Sequence, residues 1–258
     1  MSVLGYLQKR ASDAVLSTDE RNSITTSIST LQTRLRSYFP TELQEHFRFG
    51  SSTRETILPR KMDEHSDIDY LIVFKDGGYT PQTYLDRLKR FVNYYYASSE
   101  IRQSSPTIVL ELNHIKFDLV PALKQAWSST YQIPSGTSSW QDTNPNDFNQ
   151  TLENANKVNL YLIKPTIRLA KFWNAQNSSI YDSFLFEKYI IGLSFYGASN
   201  QRDYLFTVFD NLQTYHFTEQ WRKDKVERAK KIITEVRELE RDSYPNLAET
   251  EVKKLVPA

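Results

Sequence analysis

The chain has 258 residues, of which 39% are hydrophobic and 24% charged, so its composition is that of a folded globular protein and excludes a disordered one. The formal net charge of +1 lacks the basic excess of proteins that bind long nucleic acids through their phosphates, and it favours small anionic ligands. The absence of cysteine excludes disulfides and thiolate metal sites, and four histidines do not favour a zinc cage.

Hydropathy gives an expectation for location. No apolar run approaches the roughly 18 residues that a membrane-spanning helix needs. The first residues, Met1–Gly5, show no basic stretch followed by an apolar core, as a signal peptide would. We therefore expect no membrane partner and a cytoplasmic location.

The N-terminal part of the chain predicts two helices. The first covers residues 3–16. Ser17 and Glu20 then fit a capping box, the signature of a helix N-terminus. A second helix ending near Pro40 is predicted by four apolar residues at helical spacing, namely Ile24, Ile28, Leu31 and Leu35.

A short strand at 46–49 leads into a Gly50-Ser51 turn, a short helix and a loop. The next strand, 68–74, is apolar on both faces and is therefore predicted to be central in a sheet covered above and below. It opens with Asp67 and Asp69, whose side chains project from the same side about 7 Å apart.

The position of these two acids predicts a metal site. Carboxylates that close repel each other, and a divalent cation that prefers oxygen ligands relieves the repulsion. The Gly50-Ser51 turn just upstream can offer backbone N–H groups to phosphate. A phosphate cradle beside a hard-metal site suits a nucleoside triphosphate with its magnesium.

A third acid follows on a later strand. Pro81 opens a predicted helix, and then two strands at 107–112 and 115–120 read as a hairpin. In the second strand Lys116, Asp118 and Val120 share one face, within a run that otherwise reads as buried. A buried carboxylate without a partner is costly, so we expect Asp118 to meet a cation. Three acids at one end of a sheet offer ligands for two Mg²⁺ (or Mn²⁺) ions.

The C-terminal half is predicted to be helical. Segment 128–150 is rich in Ser, Thr, Gly, Pro and Asn, which favours a boundary between lobes. We predict a nucleotidyltransferase core over 1–135 and a helical lobe over 136–258, with a loosely packed tail from Tyr244 onward. The helices are predicted near 147–157, 160–176, 183–196, 202–212 and 217–241.

Two charged features are interpreted as solvated surface. Asp63 and Glu64 lie in a polar loop, which does not favour a role as ligands. The basic run 222–231 is interleaved with Asp224 and Glu227, so a solvated helix face is favoured over a nucleic-acid site.

Gly50-Ser51, Asp67-x-Asp69 and Asp118 together resemble the nucleotidyltransferases of the polymerase-β superfamily, and most of all the cyclic GMP-AMP synthase and oligoadenylate synthase branch with its bacterial CD-NTases. The resemblance implies that Gly50 and Ser51 bind the triphosphate and that the three aspartates bind both metal ions. Glu55 departs from the pattern, since many relatives have glycine there.

The same resemblance implies two further triphosphate contacts from the helical lobe. By position these are Lys171 and Ser183. The residues themselves leave other roles open, because Lys171 could be a helix lysine that extends along apolar surface and Ser183 could be a helix cap beside Asp182.

We therefore expect an α/β (α+β) fold, with a polymerase-β-like nucleotidyltransferase core, a mixed sheet and a C-terminal helical lobe. The expected activity is template-independent transfer of nucleotides from NTPs, giving a cyclic or short linear oligonucleotide signal, with a role in anti-phage defence. The expected partners are nucleoside triphosphates, a retained oligonucleotide product and a downstream effector protein. Three alternatives stay open: a linear RNA or DNA homopolymer, nucleotidylation of a tRNA, small molecule or protein, and a nucleotide-binding module without turnover.

Overall fold

The structure is a computed structural model, and it describes residues 2–75, 77–104, 106–126 and 128–258. The chain divides into two compact units. The sheet unit consists of Leu16–Arg60 and Glu64–Thr151, and the helical unit consists of Met1–Val15, Lys61–Asp63 and Leu152–Ala258. None of the described helices is long and apolar enough to span a bilayer.

The sheet unit is built on a mixed sheet, as predicted. Its described strands are β1 (Leu43–Phe49), β2 (Asp67–Phe74), β3 (Glu100–Ser104), β4 (Thr107–Glu111), β5 (Lys116–Lys124), β6 (Tyr131–Ser135) and β7 (Ser139–Thr143). They are ordered β1-β2-β5-β4-β3, with β6 and β7 continuing from the end of β5. β2 and β5 run parallel, and the other neighbours pair antiparallel.

The described helices follow the predicted order with one addition at the C-terminus. They are α1 (Val3–Asp13), α2 (Thr18–Tyr38), α3 (Ser51–Arg54), α4 (Pro81–Tyr95), α5 (Asp147–Val158), α6 (Ile163–Gln176), α7 (Ser183–Ile191), α8 (Gln201–Asn211), α9 (Gln220–Arg241) and α10 (Pro245–Val252). The capping box at the start of α2 is confirmed, because the Ser17 hydroxyl accepts from the Glu20 N–H while the Ser17 N–H donates to the Glu20 carboxylate.

Strand β2 is buried on both faces, which confirms its predicted central place. One face, with Tyr70 and Phe74, packs into the main core together with the apolar stripes of α2 and α4. The other face carries a smaller cluster of Leu71, Val73, Val120, Ala122 and Tyr131. The two faces differ because only the first is covered by long amphipathic helices of this unit.

Segment 128–150, predicted as a boundary between lobes, belongs to the sheet unit, which ends just after it at Thr151. It forms the β6–β7 hairpin, turning at Gly136 with a positive φ of 86°, and the beginning of α5. Its polar composition is that of a hairpin at the margin of a sheet, in which Tyr131 packs into the smaller cluster while most residues stay accessible. Strand β3 was not predicted either, because it is a mostly exposed edge strand without apolar alternation.

The observed boundary between the sheet unit and the helical unit lies at Thr151/Leu152 and not at the predicted 135/136. The sheet continues through β7, and α1 packs against α6, α8 and α10 in the helical unit. The tail from Tyr244 onward is not loosely packed, which corrects the prediction. It forms α10, buries Leu255 and Val256, and is held by a hydrogen bond of 2.7 Å from the Tyr6 hydroxyl to the Val256 carbonyl.

Candidate active site

The three predicted acids lie on one face of two neighbouring strands. In the parallel register of β2 and β5, Asp67 stands opposite Lys116, and Asp69 stands opposite Asp118. Neighbouring strands lie about 4.8 Å apart, and paired residues of parallel strands point to the same side. The structure thus brings two acids of β2 and one of β5 to the same end of the sheet.

A lysine stands among these acids. The Lys116 ammonium lies 3.1 Å from Oδ2 of Asp67 and 3.9 Å from Oδ1 of Asp118. Its side chain is 13% exposed, against 30% for Asp67 and 21% for Asp118. The alternation of β5 had already placed Lys116 on the face of Asp118. Its approach to Asp67 depends on the pairing of β5 with β2, which the local sequence does not reveal.

Asp118 has a carboxylate oxygen that lacks a hydrogen-bond donor in the described part of the chain. Its Oδ1 atom is buried and accepts no hydrogen bond from the residues that the structure describes. Burial, and then the negative charge of Asp67, raise the pKa of Asp118 to about 6, although Lys116 acts in the opposite direction. The carboxylate is therefore ionised at neutral pH at a cost in free energy, which additional positive charge would offset.

The donor set fits a hard cation, but it is not a closed metal cage. A buried carboxylate oxygen without a hydrogen bond is a ligand that Mg²⁺ or Mn²⁺ prefers. Within the described part of the chain, however, no three His, Cys, Asp or Glu side chains are grouped as a ready-made metal site. The Lys116 ammonium, within 4 Å of both Asp67 and Asp118, occupies part of the space between them.

Gly50 lies directly against one of the acids. It follows the end of β1, where Phe49 pairs with Asp69, and its φ of 73° lies in the left-handed region that favours glycine. A Cβ at position 50 would stand 1.9 Å from Oδ2 of Asp69, far inside contact distance. Only glycine lets the backbone of the turn approach the Asp69 carboxylate this closely.

The rest of the turn is short and compact. Ser51 begins α3, and its carbonyl accepts from the Thr56 N–H at 3.1 Å. Glu55 ends α3 in the left-handed conformation, with φ of 62° and ψ of 30°. This left-handed conformation favours glycine, and the chain adopts it with glutamate.

The two residues predicted from the helical unit have different surroundings. Lys171 of α6 is 8% exposed, and its ammonium lies 3.0 Å from Oε1 of Glu187, which is fully buried. Ser183 is the exposed first residue of α7, whose N-cap is Asp182, accepting from the Leu185 N–H at 2.9 Å. The triphosphate contacts of Lys171 and Ser183 stay predictions.

Comparison with known proteins places these features in a family. Residues 1–156 match the Second Messenger Oligonucleotide or Dinucleotide Synthetase domain, SMODS. A probable cyclic nucleotide synthase of Bacillus cereus (strain VD146) is 27% identical over an alignment of 186 residues, and the match covers 57% of this chain and 55% of that protein. The match thus spans little more than half of the length of this curated relative.

Solved structures show the same fold. CdnC from E. coli MS115-1 in its complex with HORMA-deltaN aligns with a TM-score of 0.74, at 16% identity over 99% of this chain and 97% of that one. The structure of the same protein with ATP also aligns with a TM-score of 0.74, at 15% identity over 100% of this chain and 98% of that one. The CD-NTase CdnG of Bradyrhizobium diazoefficiens in complex with GTP aligns with a TM-score of 0.73, at 11% identity over 98% of each chain. The chain therefore belongs to the SMODS family and has the polymerase-β-like fold of the CD-NTases.

Proposed function

We propose that the chain is a template-independent nucleotidyltransferase that makes a cyclic or short linear oligonucleotide from NTPs with two Mg²⁺ (or Mn²⁺) ions. One observation carries the proposal: Asp67, Asp69 and Asp118 share one face beside Gly50, and Asp118 has a buried oxygen that accepts no hydrogen bond from the described residues. Membership of the SMODS family supports the same activity.

Each residue of the sheet unit has a role that follows from its position. Asp67, Asp69 and Asp118 would hold the metal ions, which when bound stabilise the charge of the triphosphate and lower the pKa of the attacking hydroxyl. The free Oδ1 of Asp118 can accept the hydrogen of the acceptor hydroxyl and so orient it. Gly50 keeps the backbone against Asp69, which leaves room for phosphate beside the acids.

The remaining proposed contacts concern the triphosphate. Ser51 would donate from its hydroxyl and its backbone N–H. Lys171 and Ser183 are proposed to add positive charge and a hydroxyl donor from the helical unit. Transfer then breaks the bond between the α- and β-phosphates, joins the α-phosphate to the acceptor oxygen and releases pyrophosphate, so the residues act by positioning and by electrostatics.

The relatives support NTPs as substrates and a protein as a partner. CdnC is seen with ATP and with HORMA-deltaN, and CdnG is seen with GTP. For this chain we propose NTP substrates, a cytoplasmic site of action where NTPs are abundant, and a downstream effector protein that binds the product in anti-phage defence. Phage challenge of cells that carry the wild-type chain or D118N tests this part, together with capture of proteins from these cells on immobilised product. Equal phage resistance of the two strains, with no protein retained by the product, would contradict it.

The activity test is incubation with each labelled NTP and dNTP in the presence of Mg²⁺ or Mn²⁺, with products resolved before and after phosphatase. Label that resists phosphatase indicates a cyclic product, and a few discrete sensitive species indicate short linear ones. A long ladder indicates a homopolymer, and label that appears only with an added tRNA, small molecule or protein indicates nucleotidylation of that acceptor. Bound nucleotide without any product indicates a module without turnover and contradicts the proposal.

Matched variants connect this activity to the acids. We expect D69N and D118N each to lower the rate of product formation by about a thousandfold or more, because each removes a charged ligand of the metal ions. Glu64→Gln is the control, since Glu64 is an acid of the loop before β2 with a side chain that is 83% exposed. Equal rates for D118N and E64Q would place the chemistry elsewhere.

A further inference from the structure

Lys116 is a basic side chain placed inside a set of acidic ones. It is the register partner of Asp67, so its ammonium necessarily rises from the same face as the acids. At 13% exposed it is more buried than either acid it contacts, and it makes one short contact, of 3.1 Å to Asp67. Water therefore screens its charge from its neighbours only in part.

The contacts of Lys116 leave the acids incompletely neutralised. Its second contact, to Oδ1 of Asp118, is 3.9 Å, which is too long for a hydrogen bond, and that oxygen has no other partner among the described residues. A divalent ion bound to Asp118 would then lie a few ångströms from the ammonium. Like charges that close repel strongly in a partly buried site.

We propose that Lys116 is a built-in counter-ion, which holds Asp67 and Asp118 together in the metal-free protein and lowers their affinity for free divalent ions. A triphosphate brings enough negative charge to offset the ammonium, so Lys116 disfavours the bare ion and not the metal–nucleotide complex. The role is one of positioning, and it makes metal binding depend on nucleotide. This inference rests on the proposed function of the acids as metal ligands.

The same strand supplies a matched control. Lys124 lies on the same face of β5 at its other end, and its ammonium is also 3.1 Å from a carboxylate, that of Glu45. This carboxylate also accepts from the Tyr131 hydroxyl at 3.0 Å, so the Lys124 pair is balanced. The two lysines differ in exposure, 13% for Lys116 against 35% for Lys124, and in the Asp118 oxygen beside Lys116, which accepts no hydrogen bond from the described residues.

The experiment measures Mn²⁺ binding by isothermal titration calorimetry and by electron paramagnetic resonance of the free ion, without nucleotide. We expect K116M to bind Mn²⁺ about ten- to a hundredfold more tightly than the wild type, because it removes a positive charge and keeps the apolar stem. K116R and K124M should bind as the wild type does. Unchanged or weaker binding by K116M, or tighter binding by K124M as well, would overturn the inference.

A second measurement tests the dependence on nucleotide. With a saturating non-hydrolysable ATP analogue, the difference in Mn²⁺ affinity between K116M and the wild type should fall below about threefold, because the analogue supplies the offsetting charge. A difference as large as in the absence of the analogue would contradict the coupling. Should K116M fail to fold, K116Q takes its place in the same series, with the same expected tightening and the same contrary result.

The readouts separate this inference from the proposed function. Mn²⁺ titration requires neither nucleotide nor turnover, so the effect of Lys116 can be present in a chain that makes no product. Conversely, a wild type that makes oligonucleotide while K116M binds free Mn²⁺ no better would leave the activity standing and remove the role of Lys116.

Discussion

Lys116 of the sheet unit and Lys171 of the helical unit both lie against carboxylates, but the balance of charge around the two lysines differs. In the helical unit, Lys171 meets one fully buried partner, Glu187, at 3.0 Å. In the sheet unit, Lys116 is within 4 Å of Asp67 and Asp118, and Oδ1 of Asp118 has no hydrogen bond within the described part of the chain. The first arrangement is complete without a ligand, whereas the second becomes neutral only when more positive charge arrives. An unbalanced cluster thus indicates function more clearly than burial alone does.

The largest loss of stability should come from breaking the pair of Lys171 and Glu187. Lys171→Met leaves the charge of Glu187 buried without its ammonium partner, so we expect the free energy of unfolding to fall by about 3–5 kcal/mol. The double variant K171M/E187L replaces both charges by apolar groups and should recover most of that loss. Urea unfolding of the three proteins measures the effect, and unchanged stability of K171M would contradict the interpretation.

The double variant also tests the implied triphosphate contact. If Lys171 acts only in packing, K171M/E187L should have the wild-type KM for NTP. A KM raised about tenfold or more, with the fold intact, would instead support the contact that the resemblance implies.

A smaller loss is expected where the backbone meets Asp69. Gly50→Ala adds a Cβ at 1.9 Å from the carboxylate and strains a positive φ, so we expect about 2–3 kcal/mol of destabilisation together with reduced activity. Gly136→Ala is the matched control, since its φ of 86° is similar and nothing lies within 4 Å of the added Cβ. Its cost should be about 1 kcal/mol, from backbone strain alone. Equal thermal shifts for the two variants would show that the contact with Asp69 does not matter.

Neutralising Asp118 in the cluster of Lys116, Asp67 and Asp118 should stabilise the folded protein. Folding raises the pKa of Asp118 from 3.8 to about 6, so its carboxyl group favours the folded state below pH 4, and this contribution is lost as pH rises through about 6. Asp118→Asn replaces the carboxyl group by an amide that does not ionise, so the variant does not lose this stability as the pH rises. In metal-free buffer it should be about 1–2 kcal/mol more stable than the wild type at pH 7.5. Thermal unfolding between pH 4 and pH 8 measures the gap, which should close at the acidic end, and a gap that widens there would reverse the assigned sign.

The smallest effect concerns the left-handed residue of the turn. Glu55→Gly relieves backbone strain but gives the unfolded chain more freedom, so the stability should change by less than about 1 kcal/mol. Glu55→Val places a β-branched side chain at a φ of 62° and should cost more than about 1 kcal/mol. Both variants remove the interactions of the Glu55 side chain, so the order of their thermal midpoints reports mainly what the backbone tolerates, and the opposite order would contradict the assigned conformation.

Local pattern was sufficient to predict the central strand and its acids. The apolar residues on both faces of 68–74 predicted a strand covered above and below, and the capping box at Ser17 predicted where α2 begins. These features depend on neighbours in sequence, which is why they can be read without a structure. The same holds for the shared face of Lys116 and Asp118.

Other features depend on pairing between distant segments. The β6–β7 hairpin is polar because it lies at the margin of the sheet, and its composition was that of a linker. The contact of Lys171 with Glu187 joins two helices, so no local spacing signals it. The approach of Lys116 to Asp67 requires the parallel pairing of β2 with β5, which the helix α4 and two further strands separate in sequence.

That parallel pairing has a consequence for how the protein is made. Asp69 and Asp118 become neighbours only after the intervening crossover has folded and β5 has joined β2, a non-local step that is slow compared with hairpin or helix formation. In a nascent or partly refolded chain in which β5 has not yet joined β2, Asp118 is therefore still apart from Asp67 and Asp69. The gain of affinity for a metal–nucleotide complex during refolding would report the moment at which the middle of the sheet is complete.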